Sequence, residues 1–194
     1  MKSLLIALLV VALSHQVTSQ SLGICVKTPI IKDFNSTRYL GKWYEIERFN
    51  YLFEPPNLDC VVATYGYLNE TAVTVNNIAF NLKTNKTTGR NGYAYIPNLA
   101  APNKLSVVLP IELYNVTFFQ NEGPYEVLET DYETYALVYS CTQVVYDLVK
   151  LEVVWILSRK PTMDEKEIDY LKQRTASYKL DTSKFFRINQ NCGY

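Results

Sequence analysis

Short runs of β-branched and aromatic residues, separated by Gly, Pro, Asn and Asp, make up most of the chain. Successive runs occupy residues 43–49, 60–68, 71–80, 89–96, 104–109, 114–119, 125–130, 134–141 and 148–158. Runs of this length and spacing are typical of an all-β sandwich or barrel. The pattern does not fix the number of strands, because it does not mark strand ends sharply.

Alternating positions along residues 150–159 define the two faces of one strand. The first face is wholly apolar and consists of Leu151, Val153, Trp155 and Leu157. Because successive side chains of a strand point to opposite sides, we expect this face to point into a barrel. On the opposite face, Val154 and Ile156 form an apolar patch that the following helix is expected to cover.

The strand at residues 134–140 has a face of small side chains and a face of bulky ones. The small face consists of Thr134, Ala136, Val138 and Ser140, and the bulky face of Tyr135, Leu137 and Tyr139. Periodicity alone does not decide which of these two faces lies inside the barrel.

One helix is predicted near the end of the chain, over residues 163–178. Ile168, Leu171 and Tyr178 lie near one face at helical spacing, and charged residues fill most of the remainder. Thr162 and Glu165 have the spacing of a capping box, in which each side chain satisfies a backbone N–H of the first turn. A further strand is expected at residues 184–189.

The first residues have the pattern of a secretory signal peptide. Lys2 precedes an apolar run at residues 4–13, which is too short for the roughly 20 residues of a membrane-spanning helix. We predict cleavage near Ser19, which gives a signal peptide at residues 1–19 and one domain at residues 20–194. The mature protein is then secreted and extracellular, and an uncleaved membrane anchor is the alternative.

Composition excludes several classes of function. With 19 Lys and Arg against 19 Asp and Glu, the chain has no basic excess for binding nucleic acid. The only histidine, His15, lies in the predicted signal peptide, so the usual histidine-dependent catalytic sets and metal sites are excluded. We therefore predict no enzyme, no metal and no cofactor. Carboxylate-based glycoside hydrolysis is the remaining enzymatic alternative, but no Asp or Glu constellation indicates it.

Two kinds of covalent modification are expected in a secreted chain. The cysteines, which are Cys25, Cys60, Cys141 and Cys192, predict two disulfides, and the spacing leaves three pairings open. The sequons predict surface positions that are candidates for N-glycosylation at Asn35, Asn69, Asn85 and Asn115.

Three short motifs resemble the signature of the lipocalin family. They are a G-x-W motif at Gly41 and Trp43, a T-D-Y motif at Thr130, Asp131 and Tyr132, and a lone basic residue after the last barrel strand at Arg159. Each motif is weak alone, but the three occur in the expected order within a resemblance that covers residues 25–192. Within the family, the chain is similar to the apolipoprotein D group, which includes Lazarillo-like and bilin-binding relatives.

The resemblance implies an eight-stranded antiparallel up-and-down barrel with one C-terminal helix packed outside. It implies that Trp43 closes one end of the barrel and that the guanidinium of Arg159 lies over its indole ring. It also implies the disulfides Cys25–Cys141 and Cys60–Cys192. The small face of the strand at residues 134–140 is then expected to point inward, which makes Ala136 and Val138 candidate lining residues.

The resemblance further implies a ligand site inside the barrel. Tyr65 and Asn77 are expected to form hydrogen bonds with a carboxyl, carbonyl or hydroxyl group of the ligand. Trp155 and Leu157 are expected to supply an apolar wall, and a purely structural role in the core is the alternative for both.

The implied function is extracellular binding and transport of a small hydrophobic cargo, such as a fatty acid, sterol, retinoid or bilin. The alternative is a secreted interaction or protective protein that acts through a receptor, a lipoprotein or a membrane surface. Tyr51, Leu52 and Phe53 are expected to form a lid over the barrel mouth or to contact such a surface. The sequence does not identify the ligand or the oligomeric state.

Overall fold

A computed structural model of the chain describes residues 20–50, 57–113, 116–145 and 148–192. Three sequence predictions lie outside the described residues. They are the signal peptide at residues 1–19, the surface contact through Tyr51, Leu52 and Phe53, and the sequon residue Asn115.

Antiparallel strands form a single sheet in the described part of the chain. They are β1 (Gln20–Leu22), β2 (Gly41–Phe49), β3 (Leu58–Asn69), β4 (Ala72–Asn81), β5 (Lys86–Tyr95), β6 (Lys104–Leu113), β7 (Val116–Thr130), β8 (Tyr135–Val145), β9 (Val149–Ser158) and β10 (Phe185–Arg187). Their order in the sheet is β1-β9-β8-β7-β6-β5-β4-β3-β2-β10, and β9 also pairs with β2. This last pairing closes β2 to β9 into a barrel, so the predicted eight-stranded fold is confirmed.

Two α-helices flank the barrel strands, α1 (Ser36–Tyr39) before β2 and α2 (Glu165–Ser177) after β9. The predicted C-terminal helix is confirmed, but its predicted capping box is wrong. The N-cap is Asp164, whose carboxylate accepts a hydrogen bond from the backbone N–H of Lys166 at 2.8 Å. Because Asp164 directly precedes the helix and its side chain satisfies the backbone N–H of Lys166, Asp164 and not Thr162 caps the helix. Neither described helix has the length and apolar character that crossing a bilayer requires.

Apolar side chains form one cluster inside the barrel and another between the barrel wall and α2. The inner cluster includes Trp43, Tyr65, Val127, Ala136, Val138 and Leu157. The outer cluster includes Ile46, Leu137, Tyr139, Val154, Ile156, Ile168 and Leu171. The small face of β8 therefore points inward, and its bulky face packs with the outer patch of β9 beneath α2.

Val153 departs from the predicted inward face of β9, because it is buried in the outer cluster. Strand β9 pairs with β2 only at residues 155–158, whereas residues 149–151 pair with β1. Val153 thus lies beyond the seam that closes the barrel, where the face it shares with Trp155 no longer points into the lumen.

Two disulfides join distant parts of the chain. Cys25–Cys141 links the N-terminal segment to β8, and Cys60–Cys192 links β3 to the end of the described chain. The sequence separations are 116 and 132 residues. Cross-links over such distances each contribute on the order of 4 kcal/mol in the chain-entropy model, because they restrict the unfolded chain.

We predict that Leu171→Ala lowers the free energy of unfolding by about 2–5 kcal/mol, because it leaves a cavity in the outer cluster. Leu171 is fully buried beneath α2. Urea denaturation followed by circular dichroism measures the change. The exposed Gln173 on the same helix is the matched control, and Gln173→Ala should change stability by less than about 0.5 kcal/mol. Equal losses in both variants would contradict packing as the force that holds α2.

Candidate ligand cavity

Trp43 and Arg159 close the narrow end of the barrel. Trp43 is fully buried, and its indole N–H donates a hydrogen bond to the backbone carbonyl of Tyr39 at 2.9 Å. The guanidinium carbon of Arg159 lies 3.7 Å from the centroid of the Trp43 ring. A cation–π contact of this kind contributes roughly 0.5–2 kcal/mol. The arrangement is the one that the family resemblance implies.

The same guanidinium also donates hydrogen bonds to three backbone carbonyls. Nε of Arg159 donates to Tyr132 at 2.9 Å, while Nη1 donates to Lys42 at 3.0 Å and Nη2 to Arg38 at 3.1 Å. Partial burial lowers the pKa of Arg159, but an arginine side chain remains charged at neutral pH. One charged group thus ties together three separate stretches of backbone.

The G-x-W and T-D-Y motifs shape the backbone around this guanidinium. Gly41 has φ of +94°, and a Cβ there would lie 3.3 Å from Nη1 of the arginine, so the position favours glycine. In the other motif, Thr130 Oγ1 accepts a hydrogen bond from the backbone N–H of Tyr132 at 2.9 Å. Asp131 Oδ1 accepts from the backbone N–H groups of residues 133–135 at 2.8–3.1 Å. These bonds hold the turn whose carbonyl meets the arginine.

Three tyrosines form a polar floor above the closed end. The hydroxyl of Tyr65 donates a hydrogen bond to the hydroxyl of Tyr125 at 2.9 Å. The Tyr125 hydroxyl also lies 2.9 Å from the hydroxyl of Tyr39. Burial raises the pKa of Tyr39 and of Tyr125 well above the usual value, so both hydroxyls stay neutral. The floor therefore offers hydroxyl groups but no charge.

Above this floor the barrel contains a cavity of about 390 Å³. Its walls are mainly apolar and aromatic, with Leu58, Val61, Ala63, Val75, Trp155 and Leu157 among the residues around it. Small-molecule sites typically occupy roughly 300–1,000 Å³ and combine such walls with a few polar groups. The cavity thus has the size and lining of a site for one small ligand.

The structure brings four of the predicted ligand residues together around this cavity, namely Tyr65, Asn77, Trp155 and Leu157. The amide oxygen Oδ1 of Asn77 is buried and has no hydrogen-bond partner among the described residues. Trp155 and Leu157 contribute to the wall and also pack against the inner cluster.

The cavity does not reach the other two predicted residues, Ala136 and Val138. Both are fully buried in the inner cluster. In the β8–β9 register, Ala136 pairs with Leu157 and Val138 with Trp155. The larger partners face the cavity, whereas the two small side chains fill the wall beside them.

Sequence reasoning missed an ion pair beside the cavity. Nε of the fully buried Arg48 lies 2.7 Å from Oε1 of Glu45, and Glu45 lines the cavity. The Arg48 guanidinium also lies 4.6 Å from the ring centroid of Phe186. Alternation from Trp43 would have placed Glu45 inside the barrel. It would not have placed Arg48 there, because a bulge between Glu45 and Glu47 shifts the register.

The remaining predicted modification sites lie on the surface. Asn35, Asn69 and Asn85 are exposed, and their glycosylation stays a prediction. All described cysteines are in disulfides. No group of three or more His, Cys, Asp or Glu is arranged to hold a metal ion within the ranges that the structure covers.

A closed antiparallel barrel with one closed end and an internal cavity defines the class of small β-barrel proteins with an internal cavity. Within this class, the chain belongs to the lipocalin family. A family model described as a lipocalin-like domain matches residues 34–190. Apolipoprotein D of Bos taurus is 36% identical over 173 residues, which covers 88% of this chain and 85% of the relative.

Two further comparisons add a sequence relative and a solved structure of similar fold. The Lazarillo protein of Schistocerca americana is 29% identical over 186 residues, which covers 95% of this chain and 83% of the relative. The solved structure of insecticyanin from the tobacco hornworm Manduca sexta matches with a TM-score of 0.74 at 22% identity and covers 88% of each chain.

We predict that Arg159→Lys lowers the free energy of unfolding by about 1–3 kcal/mol, because an ammonium cannot reproduce the planar set of hydrogen bonds to three carbonyls. Thermal and urea denaturation measure the loss. Arg38→Lys is the matched control, since the Arg38 side chain is 53% exposed and pairs with the exposed Glu133. The control should lose less than about 1 kcal/mol. An equal loss in both variants would contradict a special role for Arg159.

Proposed function

We propose that the protein binds and carries a small, mainly apolar molecule inside its barrel. The observation that carries this proposal is the cavity of about 390 Å³ with largely apolar walls. Soluble proteins pack their interiors densely and rarely leave voids of this size, because each void loses dispersion contacts. An occupant would restore those contacts and would itself leave water, which favours binding.

The polar groups of the cavity suggest what else the ligand carries. Asn77 Oδ1 is a buried acceptor without a partner among the described residues, so a ligand O–H or N–H placed beside it would gain a hydrogen bond. The indole of Trp155 and the side chain of Leu157 suit the apolar body of the ligand. Fatty acids, sterols, retinoids and bilins all combine an apolar body with a few polar atoms, and they are the proposed ligand classes.

We propose binding without catalysis. Glu45 is the one carboxylate around the described cavity, and it forms an ion pair with Arg48. Hydrolysis by a carboxylate pair would require a second acidic group at the same place. We also propose an extracellular setting, which the two disulfides and the predicted signal peptide support.

We predict that Ala63→Phe strongly weakens ligand binding without unfolding the protein, because the added ring occupies part of the cavity. Ala63 lines the cavity and pairs in register with Trp43. The matched control is Thr64→Phe, which adds the same ring on the opposite face of β3. Titration with the neutral fluorophore N-phenylnaphthylamine should show at least an about tenfold weaker affinity for Ala63→Phe only, a free-energy change of about 1.4 kcal/mol.

Circular dichroism and thermal unfolding check that both variants keep the fold. Equal affinity of the two variants for the fluorophore would contradict binding in the cavity. Native mass spectrometry of the secreted protein then identifies the natural cargo by its mass, and a blue-green colour of the purified protein would indicate a bilin.

A further inference from the structure

The backbone pairing of the barrel wall is interrupted on one side, between β5 and β6, and we call this gap the side opening. Strand β5 pairs with β4 along its whole length, and β6 pairs with β7 from Lys104 to Leu113. The pairing of β5 with β6, in contrast, is limited to residues 93–95 and 106–108. Residues 86–92 of β5 therefore face β6 without a ladder of backbone hydrogen bonds, although both segments belong to the described chain.

Two residues account for where this pairing ends. At Gly92 the strands are so close that a Cβ would lie 2.1 Å from the carbonyl oxygen of Val108, so only glycine fits. Pro110 follows on β6, and proline has no backbone N–H to donate to a neighbouring strand. The strands thus touch at Gly92 and separate beyond it.

Arg90 lies in this opening and lines the cavity. Ala94 belongs to the inner cluster, and alternation along β5 places Gly92 and Arg90 on the same inward face. Arg90 pairs in register with Asn77, so the two Cβ atoms are roughly 4.5–5.5 Å apart. The residue is nevertheless exposed, which fits a wall that is open at this position.

The position of Arg90 along the barrel axis is close to the floor. Its partner Asn77 lies two residues beyond Val75, which pairs with the floor residue Tyr65. Measured along the strand at about 3.4 Å per residue, Arg90 is about 7 Å from the position level with Tyr65. The end of β4 at Asn81 is four residues further, about 14 Å, so the side opening is the shorter route from Arg90 to solvent.

The charges that the described residues place around the cavity do not balance. The charged residues that line it in the described chain are Glu45 and Arg90. The carboxylate of Glu45 is neutralised by Arg48, whose Nε lies 2.7 Å away. Arg90 forms no ion pair with any described carboxylate. Among the described residues, the cavity and its side opening therefore present one uncompensated positive charge.

We propose that Arg90 binds the carboxylate of a single-chain amphiphile in the side opening, while the apolar chain of that ligand extends towards Trp155 and Leu157. This inference rests on the proposed function and narrows its ligand class. The planar guanidinium matches the geometry of a carboxylate, and charge-assisted hydrogen bonds are the stronger kind. A single cation suits a monoanion better than a phosphate dianion.

The test compares cis-parinaric acid, an intrinsically fluorescent fatty acid, with its methyl ester, which has the same chain but no charge. We expect the wild-type protein to bind the acid at least about tenfold more tightly than the ester. Arg90→Gln should weaken binding of the acid far more than binding of the ester and so remove this preference, whereas Arg90→Lys should keep most of the preference. Lys86→Gln is the matched control, because it removes one exposed positive charge from the same strand outside the cavity lining.

The outcomes separate the two proposals. Equal affinities of the wild-type protein for acid and ester, or an equal loss of both in Arg90→Gln, would overturn the role of Arg90 and leave the carrier function standing. Loss of the acid preference in Lys86→Gln would show that the preference comes from the general surface charge, and it would also overturn the role of Arg90. If neither probe binds the wild-type protein, the proposed function fails, and the inference fails with it.

Discussion

A partly buried guanidinium at the closed end of the barrel holds together parts of the chain that are far apart in sequence. Arg159 follows the last barrel strand, and its partners are the ring of Trp43 on the first barrel strand and carbonyls from α1, β2 and the T-D-Y turn. These partners together stabilise the cation, since even partial burial of a charge without partners is costly. The contact therefore fixes the first and last strands against each other and closes one end.

The sequence predicts the features that depend on local periodicity, and it does not predict those that depend on pairing between strands. Alternation placed Trp155 and Leu157 inside, and helical spacing located α2, because both patterns repeat within a single element. The inward position of Arg48 depends on a bulge in the β2–β9 pairing. The exposure of Arg90 depends on where β5 and β6 separate. The bulge has no signal in the local pattern of either strand, whereas Gly92 and Pro110 mark the end of the β5–β6 pairing only once the two strands are known to be neighbours.

Two arginines near the cavity, Arg48 and Arg90, have different surroundings. This difference gives Arg48 a structural role and leaves Arg90 as the candidate for binding. Arg48 is fully buried, pairs with Glu45 and lies against Phe186, so its charge is neutralised within the wall. A buried pair of this kind contributes little net stability, because desolvation offsets the attraction. To an apolar ligand it presents a neutral surface. Arg90 is exposed and has no such compensation among the described residues, so its charge is available to a ligand.

A barrel with an unfilled interior must obtain its stability elsewhere, because an empty cavity loses packing contacts. Here the outer cluster supplies packing contacts that the cavity lacks. Its members Leu137, Ile156, Ile168 and Leu171 are fully buried between the wall and α2. The closed end and the two disulfides add constraints that do not involve the lumen. Polar side chains around the cavity that lie outside the inner cluster, such as Asn77 and Arg90, are thus released from holding the fold. A single substitution there can change the ligand while the barrel persists, and specificity can reside in as few residues as Asn77 and Arg90.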